Sequence, residues 1–122
     1  TRSMKNAFGK HVRSQREALT SLDPQFGLRQ TAAGIGVEPS YLSKVERGLV
    51  PPPSDAAITR LAKALALDGD ELLGLAGRIS GDVRRIILKR PKLMAGLVRQ
   101  FASVSDKGVQ SVILRARRTG RQ

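Results

Sequence analysis

The sequence predicts an all-α protein, with a five-helix domain at residues 4–77 and a C-terminal extension of about three amphipathic helices at residues 78–122. Three observations support this prediction. Apolar residues recur at intervals of three and four through most of the chain, Gly and Pro separate the helical segments, and residues 28–48 have the pattern of a helix, a glycine turn and a second helix.

The first helix is predicted at residues 5–19, because Phe8, Val12, Ala18 and Leu19 recur at roughly helical spacing. The connection that follows, at residues 20–27, is predicted to be a loop.

This loop prediction depends on Asp23-Pro24, which disfavours a helix, and on Gly27 at its end. We expect Leu22 and Phe26 to pack beneath the loop.

The second helix is predicted at residues 28–35, and the third begins near Pro39 and stops before Gly48. Ala32 is small where two helices must cross closely, and Gly36 lies where the turn requires a positive φ. Gly48 is expected to have the structural role of a C-terminal glycine. The residues expected to pack the two helices together are Ile35, Val37, Leu42 and Val45.

The fourth and fifth helices follow a stiff spacer, Pro51–Pro53. Ser54 is expected to cap the fourth helix, and Asp68 with Glu71 three residues later has the pattern of a capping box at the fifth. Gly77 is expected to close the domain. The apolar stripe predicted for the fourth helix consists of Ile58, Leu61, Ala62 and Leu65.

One face of the third helix carries hydrogen-bond donors and no long apolar residue. Hydroxyl, ammonium and guanidinium groups donate to phosphates and to the edges of bases. The donors on this face are Ser40, Ser43, Lys44 and Arg47.

The segment LRQTAAGIGVEPSYLSKVERG at residues 28–48 resembles the helix-turn-helix of phage repressor and Cro proteins, the Xre family. The resemblance continues through PPPSDAAITRLAKALALDGDELLGLAG at residues 51–77. It implies a five-helix, repressor-like DNA-binding domain and a transcriptional regulator, by default a repressor. It also implies a homodimer on double-stranded DNA that has two half-sites about one helical turn apart.

The resemblance places the helix at residues 39–47 in the major groove, with Ser40, Ser43 and Lys44 at base edges and Arg47 on a phosphate. Two roles stay open for Tyr41, whose ring either packs inside the domain or turns its hydroxyl to a phosphate. The full set of residues expected at DNA is Arg29, Gln30, Glu38, Pro39, Ser40, Tyr41, Ser43, Lys44 and Arg47.

The sequence also departs from the family pattern. Leu28 stands where many members have a phosphate-binding Gln, so that contact must come from Arg29 and Gln30. Thr31 replaces an apolar residue. Glu38 replaces a Ser or Thr cap, and its charge repels phosphate unless it accepts from a cytosine amino group.

Arg16 and Glu46 resemble a pair that ties the first helix to the end of the third in this family. We expect a partly buried ion pair, in which Glu46 is structural.

Composition agrees with a nucleic-acid partner. The 122 residues carry a formal charge of +12 and a pI near 11.4, which favours a polyanion. Cysteine is absent, and no apolar run approaches the ~20 residues of a membrane span, so we expect a cytoplasmic protein.

Residues 1–3 precede Met4, a natural start, and are expected to be a vector-derived remnant.

Motifs of catalysis are missing. His11 is the single histidine, and no nucleophile–base pair, phosphate loop or metal-ligand spacing occurs, so we expect no enzymatic activity, cofactor or metal. An aromatic content of 3% argues against binding of single-stranded RNA by stacking.

The extension from Arg78 onward holds twelve Lys and Arg against two Asp, a formal charge of +10. Its helices are predicted after Ser80, near Pro91 and after Ser105-Asp106. Three amphipathic helices do not stay exposed in water, so they either fold back on the first domain or pair with a second copy of the chain. We expect pairing, with the fold-back as a part of it. The alternative is an antitoxin-like or adaptor protein whose C-terminal helices bind a protein partner while the N-terminal domain autoregulates its operon. The residues expected in the dimer interface are Leu93, Met94, Leu97, Val98, Phe101, Val109, Val112 and Ile113.

The basic C-terminal end has two open interpretations. Arg115, Arg117, Arg118 and Arg121 either form a solvated surface or add sequence-independent contacts to phosphates.

Overall fold

The computed structural model describes residues 2–120 of the chain and, within them, the side chains from residue 7 onward. The chain divides into two compact units, Thr1–Ser80 and Gly81–Gln122. Residue 1 of the predicted remnant and Arg121 of the basic end lie outside the described residues.

The first unit contains five α-helices and a short 3₁₀ turn within its described residues. Their bounds are α1 Arg2–Thr20, the turn Pro24–Phe26, α2 Leu28–Ile35, α3 Pro39–Glu46, α4 Asp55–Ala64 and α5 Gly69–Leu75. The second unit contains α6 Gly81–Lys89, α7 Pro91–Gln100 and α8 Asp106–Gly120. The described residues form no strand, which confirms the predicted all-α class.

The core of the first unit lies where α1, α3 and α5 meet α2 and α4. Phe26 packs against this core, as predicted. The prediction that Leu22 packs beneath the loop was wrong, since Leu22 is 84% exposed. The α1 face that meets the core bears Phe8 and Val12, and Ala18 lies on the exposed side of the helix. The buried core consists of Phe8, Val12, Ala32, Ile35, Leu42, Val45, Ile58, Leu61, Ala62, Leu65, Leu72 and Leu73.

The predicted helix caps form by local hydrogen bonds. The Ser54 hydroxyl accepts from the Ala57 amide at 3.2 Å, and the Asp68 carboxylate accepts from the Glu71 amide at 2.9 Å. Asp23 caps the 3₁₀ turn by accepting from the Gln25 amide. These bonds satisfy amide groups that have no partner within the helix.

Gly9 is where α1 comes closest to α3. A Cβ at this position would lie 2.5 Å from the Val45 carbonyl oxygen and 2.6 Å from that of Glu46, both of them backbone atoms. The sequence pattern gives no sign of this contact, because Gly9 is flanked by residues of an ordinary helical stripe.

We expect Gly9→Ala to lower the free energy of unfolding by about 1–3 kcal/mol, because the added methyl must push α1 and α3 apart. Gly34→Ala is the matched control, since a Cβ at Gly34 in α2 meets nothing within 4 Å. There the substitution should stabilise by up to about 1 kcal/mol. Thermal unfolding followed by circular dichroism measures both, and equal effects from the two would contradict the close approach.

Arg78, the first residue of the predicted extension, contacts the first unit. The Arg78 guanidinium donates to the Pro52 carbonyl at 3.2 Å, to the Pro53 carbonyl, and to the Asp55 carboxylate at 3.0 Å. Arg78 therefore holds the end of the first unit to its proline spacer, and it belongs to that unit.

The second unit has no buried side chain among its described residues. Here α6 packs against α7, and α8 begins after Ser105, whose hydroxyl accepts from the Gly108 amide at 3.2 Å. Its apolar residues are half-buried or exposed, and Leu93 is 69% exposed. The exposed large apolar residues of this unit are Ile86, Leu88, Leu93, Leu97, Val98, Val104, Val112, Ile113 and Leu114.

Candidate nucleic-acid interface

The turn between α2 and α3 sets the direction of α3. Gly36 has φ 78° and ψ 33°, a left-handed conformation that glycine adopts without strain. The Val37 amide donates to the Ala32 carbonyl at 3.0 Å, and the Gly36 amide donates to that of Ala33 at 3.2 Å. Ala32 is fully buried, so its small side chain lets α3 cross α2 at close range.

Helix α3 has one buried face and one exposed face. Leu42, Val45 and Glu46 are buried in the first unit. The other side presents Ser40, Lys44 and Arg47 as exposed residues, with Ser43 half-buried beside them. Except for a long 3.4 Å contact from the Arg47 Nε to the Ser43 carbonyl, these side chains make no hydrogen bond or ion pair within residues 7–120. The exposed face of α3, residues Ser40, Ser43, Lys44 and Arg47, is named the donor face.

Helix α3 ends at a second left-handed glycine. Gly48 has φ 72°, its amide donates to the Val45 carbonyl, and the Leu49 amide donates to the Lys44 carbonyl at 2.9 Å. The chain therefore leaves α3 sharply, and residues after Gly48 do not extend the helix past the donor face.

The first residues of α3 lie beside the donor face. Pro39 is half-buried at the first helical position, and Glu38 is exposed with no side-chain hydrogen bond to the helix. The Glu38 carboxylate forms no ion pair within the described side chains. Its negative charge therefore stays available at this end of the helix.

Tyr41 is half-buried, and it packs against the core of the first unit. The sequence left two roles open for Tyr41, and its contact with the core is the one expected of a ring packed inside the domain.

The N-terminus of α2 has no side-chain cap, because Gly27 occupies the cap position. No side chain therefore accepts from the first amide groups of α2. Free amide groups at the N-terminus of a helix are suited to binding phosphate. Arg29 and Gln30 are exposed here, while Leu28 is half-buried and packs against the core. Gln30 folds back over Gly27, since a Cβ on that glycine would lie 2.6 Å from the Gln30 Oε1.

Two threonines fix the chain just before α2. The Phe26 carbonyl accepts from the Thr20 hydroxyl at 2.8 Å and from the Thr31 hydroxyl at 3.3 Å. Thr31 is buried, and its hydroxyl, which stands where the family pattern has an apolar residue, is satisfied by the Phe26 carbonyl.

Arg16 and Glu46 form a two-bond ion pair between α1 and the last residue of α3. The Arg16 Nε lies 2.7 Å from the Glu46 Oε2, and the Nη2 lies 2.9 Å from the Oε1. The two side chains are only 10% and 4% exposed. Hydrogen bonding to Glu46 raises the pKa of the Arg16 guanidinium above its ordinary value, so its charge persists until strongly alkaline pH.

Two further side chains brace the scaffold of the donor face. The Gln15 amide donates to the Leu65 carbonyl at 2.8 Å, which ties α1 to the end of α4. The Arg60 Nε donates to the Ile35 carbonyl at 3.1 Å, which ties α4 to the end of α2. Sequence reasoning missed both, because each joins residues at least 25 positions apart.

Residues 2–120 contain no candidate metal site and no candidate membrane-spanning helix. That part of the chain has no group of three or more His, Cys, Asp and Glu that could hold a metal ion. None of its helices is long and apolar enough to cross a bilayer.

Residues 2–80 thus form a helix-turn-helix domain, in which a glycine turn joins two helices and the second helix exposes a row of donors. A helix-turn-helix domain family model matches residues 7–75. The chain belongs to this helix-turn-helix family.

Two curated relatives are described as uncharacterized HTH-type transcriptional regulators of Mycobacterium tuberculosis, one from strain CDC 1551 / Oshkosh and one from strain ATCC 25618 / H37Rv. Each is 41% identical to this chain over 69 residues, which cover 57% of this chain and 45% of the relative. The chain thus spans less than half of their length. No solved structure matches the chain.

Proposed function

We propose that this protein is a transcriptional regulator of the Xre type that binds double-stranded DNA and inserts α3 into the major groove. The donor face is the observation that carries the proposal. One side of α3 is buried in a helix-turn-helix domain, and the other presents hydroxyl, ammonium and guanidinium groups that form no ion pair with the side chains described at residues 7–120. The two relatives named as regulators support the same conclusion.

In this proposal the groups divide into base contacts and phosphate contacts. Ser40, Ser43 and Lys44 meet base edges, with the Lys44 ammonium on the guanine O6 and N7 acceptors. Arg47 binds a phosphate at the end of the helix.

The start of α2 supplies a second phosphate contact. Arg29, Gln30 and the uncapped amides of α2 meet the backbone of the same duplex, since a helix N-terminus attracts an anion. These contacts fix the register of α3 in the groove.

The regulator acts as a homodimer in this proposal, with the apolar faces of the second unit forming the contact. Those faces are exposed on all three helices, and a second copy would bury them while placing two copies of α3 on two half-sites. Repression by occupying an operator is the simplest outcome of such binding.

Selection from a random-sequence duplex pool by the full chain, with its oligomeric state measured by light scattering, tests the proposal. We expect a dimer and an enriched motif with two-fold symmetry. A dimer that binds every sequence equally would contradict sequence-specific regulation.

We expect the double variant Leu93→Lys, Leu97→Lys to convert the dimer into a monomer, because two charges then lie in the apolar face of α7. Leu22→Lys is the control, since Leu22 is a more exposed apolar residue in the first unit. Light scattering measures the mass. A wild-type monomer would instead favour the adaptor alternative, in which a different protein covers α7.

A further inference from the structure

We propose that α8 is a second DNA-binding element, which contacts phosphates without reading sequence. The inference rests on the proposed function, because it takes the same duplex as partner. The contacts come from a basic stripe that consists of Lys107, Arg115 and Arg118.

The stripe lies along one side of α8. Its residues follow the spacing i, i+8 and i+11, which places them on one face of a helix. All three are exposed. Four apolar residues of α8 occupy the opposite side, at spacing i, i+3, i+4 and i+7, and they are Val109, Val112, Ile113 and Ala116. Leu114, which is four residues before Arg118 and 54% exposed, lies beside the basic stripe.

The charges of the basic stripe are not neutralised within residues 7–120. Among the described side chains, no carboxylate pairs with Lys107, Arg115 or Arg118, whereas Arg13, Arg16 and Arg78 of the first unit each pair with one. Ser111 lies on the same face, but its hydroxyl donates to the Lys107 carbonyl at 3.2 Å. The stripe therefore offers cations and no carboxylate to a ligand.

Helix stability accounts for only part of this pattern. Cations in the last turn of a helix interact favourably with its dipole, which explains Arg118 and its neighbour Arg117. Lys107 lies in the first turn, where a cation is unfavourable, so the dipole does not explain it.

The dimensions of the basic stripe suit a duplex. At a rise of about 1.5 Å per residue, eleven residues span about 16 Å. This length matches roughly five steps of 3.4 Å along one DNA strand. Two of the three cations are Arg, whose planar fork binds phosphate in two-bond geometry.

The contacts of α8 add to the affinity for DNA because α8 belongs to the same chain as α3. When α3 occupies a groove, α8 of the same chain is held near the same duplex, so weak phosphate contacts add to the total affinity. They add equally on every sequence, because phosphates carry no base identity.

The test is the salt dependence of binding by the full chain, measured by fluorescence anisotropy on a random-sequence duplex. We expect the triple variant Lys107→Gln, Arg115→Gln, Arg118→Gln to make the slope of log K against log salt shallower by about 2.7 for each protomer, which is about 5.4 for the proposed dimer. The affinity for the random-sequence duplex should fall by about tenfold or more near physiological salt. Circular dichroism and light scattering should be unchanged, because the stripe is exposed and opposite the apolar side.

The control removes three cations from α6 and α7 instead, by Arg85→Gln, Lys89→Gln and Lys92→Gln. We expect this triple to change the slope much less. An unchanged slope in the α8 triple, or equal changes in the two triples, would overturn the assignment to α8.

The role of α8 and sequence-specific regulation by α3 can fail independently of each other. If no motif is enriched in the selection, sequence-specific regulation fails, while the slope on random duplex still reports on α8. If a motif is enriched, the α8 triple should weaken its binding and that of random duplex by the same factor. A selective loss on the motif alone would contradict phosphate contact.

Discussion

Glu46→Ala is expected to lower the free energy of unfolding of the first unit by about 3 kcal/mol, because it leaves the buried Arg16 guanidinium without its partner. For a unit of this size, that loss corresponds to a fall in melting temperature of roughly 10 °C or more. DNA binding should fall with it, since the Glu46 backbone ends the helix that bears the donor face. Thermal unfolding and duplex binding of one preparation measure both effects.

Two variants separate the charge from the packing. Glu17→Ala breaks the exposed Arg13–Glu17 pair and should leave the melting temperature unchanged. The double variant Arg16→Met, Glu46→Met removes both charges at similar volume and should regain much of the lost stability. Loss of DNA binding by Glu46→Ala at unchanged stability would contradict a structural role for this residue.

Lys44→Ala is expected to weaken binding to the selected duplex by about 5- to 150-fold for each half-site, the equivalent of about 1–3 kcal/mol for each contact with a guanine. The loss on random-sequence duplex should be smaller, because there the ammonium meets few matching bases. A repeated selection with this variant should lose the preference at one position of each half-site.

Two other exposed cations serve as controls for Lys44. Arg47→Ala should weaken binding to all sequences alike and make the salt slope shallower by about 1 for each protomer of the dimer. Lys63→Ala, on the exposed face of α4, should leave both measurements close to those of the wild type. An equal loss on every duplex for Lys44→Ala would assign Lys44 to the phosphate backbone.

Local signals made the helices and their caps predictable. Ser54, Asp68 and Ser105 each accept from an amide three residues ahead, so the pattern that predicts the cap lies within one turn. The donor face of α3 follows equally directly, because the apolar residues at Leu42 and Val45 determine which side of the helix is buried.

The contacts that join distant segments were not predictable in this way. Gly9 gave no signal because only the crossing of α1 and α3 makes its missing side chain necessary. Arg78 was assigned to the basic extension because its charge resembles that of the residues after it. Its role depends on carbonyl groups 25 and 26 residues away.

The most direct test of the central claim is to follow backbone amide resonances of the full chain as the duplex is added. We expect the largest shifts at residues 40–47 of α3 and at Leu28, Arg29 and Gln30 at the start of α2. If these resonances stay in place while the duplex binds, α3 does not enter the groove.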